Sequence, residues 1–121
     1  MPIMTSATEP ITSSYTDGTL FITMTGEVDH HTARAIRERI DHRLYLYHPR
    51  ECVISLGGVN FMDSSGLGLI LGRLEVCRHF SCVLRLVDVD ARIRRIFTLA
   101  GMERITGLEI EGLSKKERVH I

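Results

Sequence analysis

Asp63, Ser64 and Ser65 stand together between a strand-like run and a long apolar helical pattern. A helix start leaves backbone N–H groups without intrahelical partners and carries a partial positive charge. Short oxygen-bearing side chains cap it well, and a phosphate placed there is stabilised. A second polar cluster, Glu27-Val28-Asp29-His30-His31-Thr32, leads into another helical pattern with Asp29 positioned as its cap. Enzyme chemistry finds little support in either cluster. The serines lack a G-x-S-x-G elbow, no Gly-Lys-Ser/Thr phosphate loop occurs, and Gly66-x-Gly68-x-x-x-Gly72 carries its third glycine one residue too late for a dinucleotide fingerprint. Adjacent residues at a helix start point about 100° apart, so Asp29, His30 and His31 do not converge on a metal ion. No metal or cofactor is expected. From residue types alone, Asp63 to Ser65 read equally well as a plain cap and as a phosphorylation switch.

The 121 residues suffice for one domain with a real core. Lys plus Arg and Asp plus Glu both number 15, so no broad field favours nucleic acid or an anionic membrane. Cys52, Cys77 and Cys82, in apolar surroundings and without C-x-x-C spacing, read as buried thiols in a reducing compartment. No secretory leader or membrane-length apolar run is seen, which predicts a soluble, cytoplasmic protein.

The elements that must position the two clusters follow from local pattern. Residues 1–10 are polar and read as a flexible lead, 11–112 as the folded domain, and 113–121 as a charged tail of frayed helix or coil. Ile11 to Thr16 and Thr19 to Thr25 are β-rich runs around an Asp17-Gly18 hairpin turn. Ala33, Ile36, Ile40 and Leu44 mark the apolar face of the first helix, leaving Arg34, Arg37, Glu38, Arg39 and Asp41 on the other side; His48-Pro49 ends it. Cys52 to Leu56, bounded by Gly57-Gly58, reads as a strand covered on both faces. The second helix begins near Ser64 or Ser65 and runs to about His79. Leu67, Ile70, Leu71, Leu74 and Cys77 form one apolar arc, Leu69, Val76 and Phe80 another, and Gly72, Glu75 and His79 the wet side. Cys82 to Val87 is a strand, Asp88 or Asp90 caps a helix over 91–100 with core positions Ile93, Ile96, Phe97 and Ala100, Gly101 terminates it, and Ile105 to Ile110 closes the sheet. This order predicts an α/β fold: a mostly parallel mixed sheet with an N-terminal antiparallel edge hairpin and helices packed on it.

Phe61-Met62-Asp63-Ser64-Ser65-Gly66-Leu67-Gly68, taken with Gly26-Glu27-Val28-Asp29-His30-His31-Thr32-Ala33, closely resembles the anti-sigma-factor antagonists of the STAS fold, and among them the sporulation type that antagonises the anti-sigma-F factor. The likeness spans roughly Ile11 to Leu108. It implies a single STAS-like domain that is not an enzyme. Its partner would be an anti-sigma factor with ATP-dependent serine kinase activity, which phosphorylates Ser64, and a phosphoserine phosphatase would reverse the modification. The resemblance further implies a docking surface of Glu27, Asp29, His30, His31, Asp63, Ser64, Ser65, Gly66 and Leu67, with Asp29 meeting a kinase arginine. A different class, a small-ligand or nucleotide-binding module using the same helix start, is the alternative that the residues leave open.

Overall fold

In the computed structural model, which describes residues 10–112, the opening hairpin follows from two residues that accept positive φ. Strands β1 (Ile11–Thr16) and β2 (Thr19–Val28) are joined by Asp17 and Gly18 at φ 50° and 84°, the primed-turn geometry that matches strand twist. Antiparallel register pairs Thr16 with Thr19 and Ile11 with Met24. Helix α1 (Ala33–Tyr47) follows and stops where His48 turns left-handed at φ 46°, one residue before Pro49. Strand β3 (Glu51–Met62), helix α2 (Ser64–His79), strand β4 (Val83–Val89), helix α3 (Ala91–Leu99), a single 3-10 turn (Met102–Arg104) and strand β5 (Leu108–Gly112) complete the described chain. The five strands lie in sequence order in one sheet, antiparallel only between β1 and β2. The α/β architecture with an antiparallel edge hairpin is as the pattern predicts.

One face of the sheet carries the core. Leu20, Ile22 and Met24 of β2, Cys52, Ile54 and Leu56 of β3, and Leu84 and Leu86 of β4 pack with Ile36, Ile40 and Leu44 of α1, Ile70, Leu74 and Cys77 of α2, and Ile93 and Phe97 of α3. The opposite face is solvent-facing. Its rows read Phe21, Val53, Arg85 and Glu109 across four strands, with Phe21 exposed and Arg85 held in ion pairs to Glu51 and, at 3.0 Å, Glu111. This corrects the expectation that β3 is covered on both faces. Val53 is buried by neighbours on its own sheet surface, so an apolar run does not require a second helical layer.

Several boundaries also move. β3 does not stop at Gly57-Gly58, because β2 runs alongside it to the end through two register shifts and takes up its backbone groups. β2 likewise continues to Val28. The last strand is Leu108–Gly112, not Ile105 to Ile110, because the 3-10 turn and Gly107 at φ 90° redirect the chain first. Asp90, not Asp88, caps α3, accepting from the Ile93 N–H at 2.9 Å, while Asp88 accepts from the Ser55 hydroxyl at 2.7 Å. Leu71 and Ala100, placed on apolar faces by periodicity, are exposed. Asp41, placed on the wet face of α1, ion-pairs with the buried Arg73 of α2.

The three cysteines are free and buried. Hydrogen bonding with Cys52, aided by burial, pushes the Cys77 thiol up to about 12, and contact with Cys77 pushes Cys82 up as well. Both remain protonated thiols at neutral pH, and thiols in that state are poor nucleophiles. The expectations for the lead over residues 1–9 and for the tail over 113–121 lie outside the described residues.

Candidate functional site

The second helix starts at the point where β3 runs out. Asp63 is extended, at φ −115° and ψ −166°, and its carboxylate accepts from the Ser65 N–H at 2.8 Å. Its carbonyl accepts from the Gly66 N–H at 2.9 Å. These bonds satisfy orphan donors of the first turn without using Ser64, whose exposed hydroxyl makes no hydrogen bond among the described residues. Ser65 is half-buried and turns toward α1, where it lines a cleft with His30.

Gly66 explains how the helix can begin so close to the sheet. It is buried, and a Cβ added there would collide with Met62 Cγ and lie 3.2 Å from Val28 Cγ1. Those two side chains end β3 and β2. Hydrogen alone at residue 66 lets α2 seat directly on the paired strand ends.

The Glu27–Thr32 segment reaches the same place through strand pairing. Val28 is in register with Met62, Glu27 with Phe61, and the Asp63 N–H donates to the Val28 carbonyl at 3.3 Å. Beyond β2 the chain makes a reciprocal box: the Asp29 carboxylate accepts from the His31 and Thr32 N–H groups at 2.8 and 3.1 Å, and the Thr32 hydroxyl accepts from the Asp29 N–H at 3.0 Å. The same hydroxyl donates to the Glu27 carbonyl at 2.9 Å. Asp29 therefore caps a turn, and α1 proper starts at Ala33 after Thr32, later than a direct Asp29 cap would place it. His30 and His31 are exposed and lie against each other with ring centroids 3.9 Å apart.

The two clusters thus form one surface built on the parallel ends of β2 and β3. Glu27, His30, His31 and Ser64 present exposed side chains, and Asp29, Asp63 and Ser65 are half-buried among them. Gly66 is buried beneath them, and Leu67, half-buried like Asp29, Asp63 and Ser65, packs one side against the core. Residues 11–114 match the family model of the STAS domain. The chain belongs to the STAS domain family. An anti-sigma F factor antagonist of Paenibacillus polymyxa is 32% identical to this STAS domain over 105 residues, covering 84% of this chain and 90% of the relative. Among solved structures, the anti-sigma factor antagonist SpoIIAA in its unphosphorylated form superposes with a TM-score of 0.66 at 24% identity over 90% of this chain and 94% of that one. The phosphorylated form of that Bacillus cell fate determinant gives 0.65 at 24% identity, over 90% and 96%. The STAS fold described here is common to both forms.

Residue patterns did not reveal three contributors to this surface in the STAS domain. Thr32 locks the Asp29 turn, a role signalled only by its spacing from Asp29. Phe61, 48% exposed and opposite Glu27, adds an apolar side chain at the end of β3; strict alternation back from the buried Met62 would have placed it outward. Arg73, one face of α2 further on, is buried behind the cleft.

Two expected results belong to these caps. Asp63→Ala removes the acceptor for the Ser65 N–H and is expected to lower stability by about 1 kcal/mol, read from denaturant unfolding. Desolvation raises the Asp29 pKa, but the N–H bonds accepted from His31 and Thr32 together outweigh it and hold the carboxyl below its ordinary value. The stabilisation from this turn is then fully present above the ordinary carboxylate range and is lost as pH falls through the lowered folded-state pKa. A carboxyl-carbon NMR titration should place the Asp29 midpoint below about 3.9, the value for an unperturbed aspartate.

Proposed function

We propose that this STAS domain is an anti-anti-sigma factor whose partner is an anti-sigma factor with ATP-dependent serine kinase activity. In the unphosphorylated form, the surface of Glu27, Asp29, His30, His31, Asp63, Ser64, Ser65 and Leu67, seated on the buried Gly66, docks the anti-sigma factor and frees its sigma factor. The partner phosphorylates Ser64, binding is switched off, and a phosphoserine phosphatase restores the docking form. The protein is a substrate in this cycle and not a catalyst.

The observation that carries the reading is the position of Ser64. It is exposed at a capped helix start, its hydroxyl without a hydrogen bond among the described residues, beside a second polar segment that strand pairing holds alongside. A phosphoacceptor must be reachable by a kinase, and a switch must sit where an added dianion meets the partner. Phosphorylation adds about −1.5 to −2 charges and three acceptor oxygens. At the exposed N-terminus of α2 that charge is tolerated; against a partner it is desolvated or crowded. The switch acts at the interface and requires no refolding.

The deciding experiment is incubation of the full chain with ATP and a candidate anti-sigma factor, followed by intact mass and site mapping. A single phosphate confined to Ser64, absent from Ser64→Ala, is expected. Modification at Ser65 alone, or none with any kinase-type anti-sigma factor that binds the chain, would overturn the assignment.

A further inference from the structure

Strand β1 is one edge of the sheet, and its phase against β2 is set by the Thr25 N–H, which donates to the Pro10 carbonyl at 3.0 Å. Opposed residues of an antiparallel pair alternate between exchanging both backbone bonds and exchanging neither. Thr12, Ser14 and Thr16 therefore turn their backbone groups to β2, and Ile11, Ser13 and Tyr15 turn theirs outward, where none has a partner among the described residues. Natural edges are guarded by charge, proline, a bulge or a covering segment. β5, the other edge, carries Glu109 and Glu111 and a register shift. β1 reads Ile-Thr-Ser-Ser-Tyr-Thr, without charge or proline and in unbroken register.

The helix-facing side of this edge carries an ordered row of side chains. Arg43 of α1 donates from Nε to the Ser13 hydroxyl at 2.6 Å and from Nη1 to the Arg39 carbonyl at 2.9 Å. Tyr15 stacks on Tyr47, ring centroids 4.4 Å and planes 12° apart, and both rings are exposed. Arg50 donates to the Asp17 carbonyl at 2.9 Å, over the hairpin turn. Ser13 and Tyr15 share one face of the strand and the turn follows, so the row runs guanidinium, paired rings, guanidinium over about 13 Å. Arg43 and Arg50 are bonded to neutral oxygens, and among the described residues neither has a carboxylate within ion-pair distance. Arg34, Arg73, Arg85 and Arg94 each have one.

We propose that the β1 edge is a second docking site, which takes up an extended acidic segment of another protein as a sixth strand. Backbone groups of Ile11, Ser13 and Tyr15 pair with the added strand, and its side chains at i, i+2 and i+4 present a carboxylate to Arg43, an apolar group to the Tyr15–Tyr47 stack and a carboxylate to Arg50. Charge selects this occupant over a second copy of the chain. Pairing of β1 with itself about a twofold between Ser13 and Ser14 would set two Arg43 side chains together, and like charges oppose that. The turn end of the hairpin is opposite to the Val28 end of β2 that adjoins Ser64, so both surfaces can be filled at once. The inference stands whether or not Ser64 is a phosphoacceptor.

The test is an amide NMR titration of the full chain with the peptide Ser-Gly-Glu-Thr-Val-Thr-Glu-Gly-Ser, beside a control with lysine in place of both glutamates. Saturable shifts over residues 11–16, with slowed exchange of the Ser13 and Tyr15 N–H groups, are expected from the acidic peptide and not from the control. Ser13→Pro removes an outward N–H that β2 does not use, and should abolish binding while circular dichroism shows the fold retained. Arg43→Gln and Arg50→Gln should each weaken binding roughly fivefold, the scale of an exposed ion pair. Ser64→Asp should leave it unchanged. The proposal is overturned by shifts that do not saturate or lie outside β1, by equal binding of the lysine control, or by undiminished binding in Ser13→Pro or in both arginine variants. Concentration-dependent shifts over 11–16 without peptide would assign the edge to a second copy and overturn it as well.

Discussion

Ser64→Asp and Ser64→Glu are expected to weaken binding to the anti-sigma factor by at least about a hundredfold, with phospho-Ser64 weaker still and Ser64→Ala close to the unmodified chain. The magnitude follows from the cost of desolvating an uncompensated charge at an interface, which is several kcal/mol, against tenfold in affinity per 1.4 kcal/mol. The free protein should scarcely register the change. Ser64 opens α2 with its side chain in solvent, and a negative charge at a helix N-terminus contributes about 0.3–1 kcal/mol of stabilisation. Part of that benefit is offset here, because the neighbouring Asp63 carboxylate already holds the Ser65 N–H and repels a second anion. Titration calorimetry of each variant against the partner, set beside thermal melts of the same samples, separates the two sites of action. Lost binding with unchanged melting temperature is the expected pattern. Equal affinity of all forms, or a melting temperature that falls in step with affinity, would remove the interface switch.

A pair of glycine substitutions should have opposite effects only two residues apart. Gly66→Val forces side-chain carbon into Met62 and Val28 where the ends of β3 and β2 carry α2. Overpacking of a buried site costs about 1–3 kcal/mol, and valine offers only a modest helix-propensity gain over glycine against that cost. A melting temperature lower by roughly 10 °C is expected, from about 3–5 °C per kcal/mol for a domain of this size. Because the strand ends and the helix start share this contact, docking should fail as well, through displacement of Ser64. Gly68→Ala meets nothing within 4 Å and removes a flexible residue from a helix interior. It should stabilise by roughly 0.5–1 kcal/mol and raise the melting temperature by a few degrees. Scanning calorimetry of both proteins is sufficient; destabilisation of similar size at the two positions would show that α2 does not seat on the strands through Gly66.

The same contrast marks how far the residues speak for themselves. Asp17-Gly18, Asp63, His48-Pro49 and Gly101 were all legible, because each acts on backbone groups within a few residues of itself and its chemistry does not depend on what lies opposite; the α3 cap was legible as Asp88 or Asp90, and the structure chose Asp90. The apolar face of α1 was legible for a related reason, since Ile36, Ile40 and Leu44 stack at helical spacing whatever sheet they meet. Arg73 was not legible. It follows Leu69 and Ile70 on the α2 pattern, and only the approach of α1 decides that a guanidinium is buried there against Asp41. Gly57-Gly58 misled for a similar reason. Glycine read alone marks a break, but a parallel neighbour with matching bulges carries β3 through to Met62.

By itself, then, the sequence determined the local pieces: the α/β order of elements, a capped helix start bearing Ser64, and a separate polar segment from Glu27 to Thr32. The tertiary structure decided that these pieces are one surface. The physical reason is the register of Val28 against Met62, a pairing between segments remote in the chain, which depends on the whole sheet and on the absence of a side chain at Gly66.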